Sequence, residues 1–192
     1  MRVLEQLEPQ GVFRFFEELC AIPHGSRNTK AVSDWCADFA RTRGLEYHQD
    51  GDNNIIIIKE AAPGYEAAPP VILQGHLDMV CEQTADCQKD MSREGLDLAV
   101  DGDFVYAKGT TLGGDDGIAV AMALALLDAK DLPCPRLEAV LTVDEEIGLL
   151  GAASIDVTPL KGRQMLNLDS EAEGIFTVSC AGGNNSACLL PL

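Results

Sequence analysis

The sequence predicts an α/β fold, a mixed and largely parallel sheet held between layers of helices. Three observations carry that reading. Apolar runs of strand length at 55–58, 71–73 and 137–143 do not alternate between apolar and polar residues, so both of their faces are expected to be covered. Helical segments with apolar stripes separate them. A length of 192 residues at 46% hydrophobic composition supports one substantial core and is short for two domains.

Taken in order, Pro9 and Gly11 precede a helix in which Val12, Phe15, Phe16 and Leu19 recur at i, i+3, i+4 and i+7, and Pro23 ends it. Ser26 to Asn28 are expected to cap a second helix whose buried face is Ala31, Trp35 and Phe39, with Val32 and Ala40 beside them, up to Gly44. His24 falls in the turn between the two and reads as a loop residue, since no acid accompanies it. His48 alternates with apolar positions and reads as the exposed side of a strand. Asp50-Gly51-Asp52-Asn53 is a turn, and Ile55-Ile56-Ile57-Ile58 is a β-branched strand.

The Ala/Pro/Gly-rich stretch 61–70 connects to Val71-Ile72-Leu73-Gln74-Gly75-His76-Leu77-Asp78, a buried strand delivering an imidazole and a carboxylate at its end. In open α/β sheets ligands bind just beyond the carboxyl ends of such strands. Residues i and i+2 of an extended segment point the same way, so Asp78 is placed to orient the His76 ring. A lone His-x-Asp is more often a satisfied strand-end histidine, so this motif needs support from elsewhere. The polar stretch 81–99 reads as a loop bordering the site. Asp101-Gly102-Asp103 turns between short strand-like pieces, without the ligand spacing of a calcium-binding loop.

Gly109-Thr110-Thr111-Leu112-Gly113-Gly114-Asp115-Asp116-Gly117 then opens onto a helix at 118–127 that is apolar nearly all round and so is expected to be covered on most sides. It is no phosphate loop: Lys108 precedes the glycines, and two aspartates at the helix entrance would repel phosphate. Asp115 reads equally as a ligand or as a helix cap. Leu132-Pro133-Cys134-Pro135 breaks the chain before the 137–143 strand, which runs into Asp144-Glu145-Glu146. The same arrangement returns in Met165-Leu166-Asn167-Leu168 followed by Asp169-Ser170-Glu171. Ile175-Phe176-Thr177-Val178 reads as a strand, and Gly182-Gly183-Asn184-Asn185 as a turn.

Composition narrows the partners. Fourteen basic against 31 acidic residues give a net charge of −17, which opposes nucleic acid and anionic membranes and favours cations or neutral small molecules. The seven cysteines, at 20, 36, 81, 87, 134, 180 and 188, form no close Cys-x-x-Cys pair, so neither a disulfide framework nor a structural zinc site is expected. With no signal-like apolar segment and no apolar run of membrane-spanning length, a cytoplasmic location is expected.

Three strand-like runs thus end in metal-type donors, at His76/Asp78, Glu145/Glu146 and Asp169, and Asp115 enters from a helix start. One imidazole with several carboxylates suits zinc, with manganese or cobalt in its place, and allows a carboxylate to bridge two ions. Such chemistry needs a further, unligated carboxylate as general base, and Glu145 and Glu146 can divide those roles.

Five segments carry a family resemblance: Gln74-Gly75-His76-Leu77-Asp78-Met79-Val80, the 109–117 loop, Asp144-Glu145-Glu146-Ile147-Gly148, Leu168-Asp169-Ser170-Glu171 and Cys180-Ala181-Gly182-Gly183. They resemble the aminoacyl-histidine (Xaa-His) dipeptidases, co-catalytic zinc exopeptidases related to carboxypeptidase G, tripeptidase and aminoacylase. The resemblance implies that His76 and Asp169 bind one zinc, Glu146 binds the other and Asp115 bridges them. It also implies that Asp78 orients His76 and that Glu145 is the general base. It implies a cis peptide between Asp115 and Asp116, where Asp116 stands in place of the asparagine expected in the closest relatives.

Members of the family continue after the Cys-Ala-Gly-Gly strand into a lid and dimerisation domain, then return to supply a final histidine. This sequence holds only His24, His48 and His76. Residues 1–192 are therefore expected to be the N-terminal part of the catalytic domain, a three-layer α/β/α sandwich incomplete at its C-terminus. The implied function is metal-dependent hydrolysis of dipeptides, Xaa-His in particular, by a two-zinc-activated water, in a parent that dimerises through its lid. The chain alone is expected to be inactive, with one of its two zinc sites better formed. A sibling amidohydrolase (tripeptidase or N-acyl-amino-acid deacylase) and a non-catalytic metal- or partner-binding remnant are the alternatives.

Overall fold

A computed structural model of the chain describes residues 2–170 and 174–179. The apolar stripe on Gln10–Cys20 (α1) buries Phe15, Phe16 and Leu19, and Lys30–Arg43 (α2) follows. Glu46–Gln49 (β1), Ile55–Lys59 (β2) and Val71–His76 (β3) are the first strands of the main sheet. Leu98–Asp101 (β4) and Phe104–Ala107 (β5) form a separate antiparallel hairpin about the Asp101-Gly102-Asp103 turn. Gly114–Asp128 (α3), Leu137–Thr142 (β6), Leu150–Ser154 (α4) and Gln164–Asn167 (β7) complete the elements among the described residues.

The main sheet runs β1-β2-β6-β3-β7. The β1–β2 and β2–β6 pairs are antiparallel, and β3 runs parallel to both β6 and β7. The parallel centre is where burial on both faces is needed, and β6 is buried at every position. On one face Ile55, Ile57, Leu73, Ala139 and Leu141 pack with α1, α2 and α3 in the main core. On the other, Ile56, Ile58, Ile72 and Val140 meet Ile155 and Leu160 from the stretch after α4. A helix of five residues and its connection cover that second face, so the layers flanking the sheet differ greatly in thickness.

Two glycines permit close approach. A Cβ at Gly117 would lie 2.9 Å from Leu19 Cδ2, so its absence lets α3 pack against α1. At Gly75, inside β3, a Cβ would lie 2.6 Å from Asp116 Oδ2. A glycine in a strand interior commonly marks such an approach.

Several expectations are corrected. Ser26 and Asn28 do not cap α2. Its N-cap is Thr29, without a side-chain cap. Ser26 instead donates to Asp78, and Asn28 donates to the Ser92 carbonyl. The buried face of α2 is Val32, Ser33, Cys36, Ala37, Phe39 and Ala40, while Ala31 is exposed and Trp35 half-buried. The face is turned toward Cys36, which joins the main core, and Ser33, which is buried accepting from Gln49 Nε2 at 2.8 Å. On α3, Met122 and Leu126 lie one turn apart and are exposed, leaving one stripe of an apolar helix uncovered among the described residues. Residues 175–179 form no strand, and Phe176 and Val178 are almost fully exposed, because no described strand pairs with them. The five described cysteines are free thiols, as expected. Glu171, Cys180, Cys188 and the Gly182–Asn185 turn lie outside the described residues.

Candidate active site

β3 ends at His76, and the ring is 1% exposed. Its Nδ1 donates to the Asp78 carbonyl at 2.9 Å and lies 3.4 Å from Asp78 Oδ1, which fixes the ring and turns Nε2 toward Asp115 Oδ1 at 3.1 Å. Glu145 Oε2 stands 3.8 Å from the same nitrogen. The strand backbone is held too, because the His76 N–H donates to Asp116 Oδ2 at 3.1 Å.

Asp78 ties three segments together. Its carboxylate accepts from Ser26 Oγ at 2.8 Å, from the Glu145 N–H at 3.0 Å and from the Glu146 N–H at 3.4 Å. The turn after β6 begins at Asp144, whose left-handed φ of 53° swings the next two glutamates over the sheet end. Asp144 Oδ1 also accepts the Arg27 N–H at 2.6 Å, pinning that turn to the α1–α2 loop. The peptide between Asp115 and Asp116 is cis, as the resemblance implied, and both residues depart from helical φ/ψ at the head of α3.

The electrostatics are those of an acid-rich site around one base. Burial disfavours the His76 cation, yet Asp78, Asp116 and Asp115 outweigh it and raise the ring to about 9. Burial pushes Asp116 up to about 7, against the pull of His76. Glu145 is raised by burial and by Asp169, Asp78 and Asp115, and Glu146 by burial and Asp115. Asp78 moves the other way: burial opposes its charge, but hydrogen bonds from His76, Glu145 and Ser26 hold it below the ordinary carboxylate range.

Two groups bring donor atoms within 4.8 Å of one another: His76, Asp115 and Glu146, and Asp115, Asp116 and Asp169. The donor chemistry fits a divalent cation, one imidazole with carboxylates for the first group and oxygen alone for the second. Asp115 belongs to both, as a bridging residue must. By the resemblance, His76 and Asp169 belong to one ion and Glu146 to the other. In the structure His76 shares its group with Glu146, and Asp169 lies with Asp115 and Asp116. β3 has β6 on one side and β7 on the other, and Glu146 and Asp169 follow those two neighbours. Glu145 belongs to neither group. The remaining imidazoles stand apart: His24 is buried on the Ile22 carbonyl, and His48 pairs with Glu46 on exposed β1.

Asp116 and Ser26 were not read from the sequence as site residues. The signal for Asp116 is Gly75, whose missing side chain makes room for that carboxylate. No local signal marks Ser26, which meets Asp78 across 52 residues of chain. Next to Glu146 lies a cavity of about 370 Å³, walled in part by Met79, Cys81 and Met91. The 81–99 stretch therefore does border the site.

No family model matches the chain. It is 38% identical over 183 residues to the cytosol non-specific dipeptidase of Escherichia coli K12, a match covering 95% of this chain and 38% of that protein. The crystal structure of aminoacylhistidine dipeptidase from Vibrio alginolyticus superposes with a TM-score of 0.86 at 38% identity, over 89% of this chain and 35% of that one. Over nearly its whole length the chain is similar to these dipeptidases. A Staphylococcus aureus tripeptidase, at 22% identity and a TM-score of 0.69 over 85% of this chain and 44% of its own, shares the fold. The chain thus spans little more than a third of the length of the two dipeptidases it matches at 38% identity.

Proposed function

We propose that the protein hydrolyses dipeptides, those ending in histidine in particular, at a site for two divalent cations, zinc first among them with manganese and cobalt as alternatives. The observation that carries this reading is the convergence of His76, Asp115 and Glu146 at the carboxyl end of the sheet, with Asp115 shared by a second donor group and Glu145 left out of both. A pair of such cations, when bound, polarises a carbonyl and makes water acidic enough to attack at neutral pH.

The chain's own residues do the rest. His76, Asp115, Glu146 and Asp169 hold the cations. Asp78 fixes the His76 ring and, through two backbone N–H groups, the position of the glutamate turn. Glu145 takes a proton from the attacking water and returns it to the leaving amine. Burial, the largest cause of its raised pKa, suits a group that must hold that proton between the two transfers. A small peptide is the partner this site calls for, and the one relative whose name gives a location is a cytosolic enzyme, in line with the location expected above. Among the described residues no helix is long and apolar enough to cross a membrane.

A screen of the zinc-loaded parent protein against Xaa-His dipeptides, other dipeptides, tripeptides and N-acyl amino acids tests the reading. Cleavage of dipeptides, fastest with histidine at the C-terminus, is expected. Turnover of tripeptides or N-acyl amino acids alone would replace it with a sibling activity.

A further inference from the structure

The loop between α1 and α2 lies against the chain that leaves β3. The Met79 N–H donates to the His24 carbonyl at 3.1 Å, and Gly25 forms a parallel bridge with Met79. A Cβ at Gly25 would lie 2.6 Å from Cys81 Sγ, so the glycine lets the loop come this close. The next two residues each reach one of the donor-bearing turns. Ser26 Oγ donates to Asp78 Oδ2 at 2.8 Å, after β3, and the Arg27 N–H donates to Asp144 Oδ1 at 2.6 Å, after β6. Arg27 holds a left-handed φ of 66°, a conformation that persists in such a residue only where its surroundings support it.

Of these contacts, the Ser26 hydroxyl bears most directly on the site. The Asp78 side chain is fully buried, so solvent does not stand in for a lost partner. Its oxygens have different neighbours. Oδ1 lies 3.4 Å from His76 Nδ1 and accepts the Glu145 N–H at 3.0 Å, while Oδ2 has Ser26 and, at a long 3.4 Å, the Glu146 N–H. Ser26 is therefore the close partner of Oδ2 among the described residues. The torsion that turns a carboxylate has no sharp preference of its own, so its hydrogen bonds set the angle. Because the group is planar and turns as a unit, a bond lost at Oδ2 also frees Oδ1, which faces the imidazole and the head of the glutamate turn.

We propose that Ser26 is a positioning residue for the cation site. It belongs to neither donor group and acts through Asp78, holding that carboxylate at the angle that keeps His76 Nε2 on Asp115 and the two glutamates over the sheet end. A hydroxyl suits the task because it donates without adding charge. A lysine or arginine in its place would cancel part of the negative surplus that a cation needs. The geometry stands by itself, and its consequence for affinity rests on the cation reading given above.

Two imidazoles separate positioning from folding. His76 Nδ1 donates to the Asp78 carbonyl, on the far side of the Ser26 bond, and His24 Nδ1 donates to the Ile22 carbonyl on the loop itself. Both rings are buried, so both Nδ1–H protons should be slow to exchange in protein labelled with ¹⁵N-histidine. Ser26→Thr keeps the hydroxyl, and Ser26→Val puts a methyl group of the same shape in its place. In the chelator-treated full chain, Ser26→Val should shift and broaden the His76 signal while the His24 signal stays, and Ser26→Thr should leave both where they are. By calorimetric titration, Ser26→Val and Ser26→Ala should bind zinc about tenfold more weakly, the lower end of the loss expected when an outer partner of a ligating imidazole is removed. Ser26→Thr should recover most of that loss.

An unmoved His76 signal in Ser26→Val would overturn the proposal, as would a His24 signal that moves as far as that of His76, or equal zinc affinity in the Thr and Val variants. A wild-type chain that binds no zinc would instead remove the cation reading, and the two Nδ1–H signals would still decide the role of Ser26.

Discussion

Two places in this molecule bury charge, and they do it in opposite ways. Near the start of β6, Glu138 is fully buried, yet everything it needs is internal: Arg136 Nε donates to it at 2.7 Å, and the backbone N–H groups of Lys161 and Gly162 at 2.9 Å each. Arg136 in turn also holds Glu60. At the carboxyl end of the same sheet, Asp78, Asp115, Asp116, Glu145, Glu146 and Asp169 gather about one imidazole, with no lysine or arginine paired to any of them among the described residues. The first arrangement is complete as it stands. The second leaves negative charge over, and that surplus is what a cation would balance.

The largest effect that sharpens the contrast is on turnover. In a form of the protein that cleaves dipeptides, Glu145→Gln should lower kcat by about 10²–10⁴ or more, the size of a general-base contribution. Metal content, measured by atomic emission, should stay unchanged. A parallel loss of metal would mean that Glu145 and Glu146 have exchanged roles.

At the balanced place the largest effect is on stability. Glu138→Ala would leave Arg136 with only the exposed Glu60 and strand two backbone N–H groups, costing about 3–5 kcal/mol in denaturant unfolding. It should leave cation binding intact, since Glu138 lies in neither donor group. Loss of cation binding in a variant that still folds would break the distinction between the two places.

That distinction was only half legible in the sequence. Strand runs ending in donors revealed His76, Asp78, Glu145, Glu146 and Asp169, because a strand's apolar pattern and the residues just past its end are both local. Glu138 left no such mark: it sits within the 137–143 run that reads as covered on both faces, and its partners at 161 and 162 come from a distant connection. Asp116 carried no site reading of its own in the sequence, since its role depends on the room Gly75 leaves about 40 residues earlier. The short α4 was not anticipated. Its first residues follow Leu149, whose left-handed φ of 59° no local preference foretells. The run at 175–178 was read as a strand on propensity alone, and propensity yields where no partner supplies a ladder.

Cation binding should stabilise the surplus site and do nothing for the balanced one. With free zinc at about a hundredfold over its dissociation constant, linkage adds about 2.7 kcal/mol to the folded chain. The expected rise in melting temperature should vanish in Asp115→Asn, which removes the donor common to both groups, and persist in Glu138→Gln. An equal rise in both variants would place the ion elsewhere.

The smallest effect is in the acid limb of the pH profile, where the two places should differ in sign. Burial opposes the charge on Glu138, but Arg136 and the two N–H groups hold its pKa below the ordinary 4.5. A group depressed on folding contributes stability that is present above its unfolded value and lost as pH falls through its folded value. The wild-type advantage over Glu138→Gln should therefore be constant above about pH 5 and shrink below it, by about 1.4 kcal/mol per unit of depression. Asp116, Glu145 and Glu146 are raised instead, so their folded forms hold protons more tightly than the unfolded chain does. In chelator-treated protein they favour folding as pH falls from 8 toward 5, and Asp116, raised to about 7, contributes its full slope only below that pH. Above about pH 5 Glu138 contributes no slope, so the metal-free melting temperature of the wild type and of Glu138→Gln alike should rise on mild acidification. A fall would show that the site's carboxylates are already balanced without a cation.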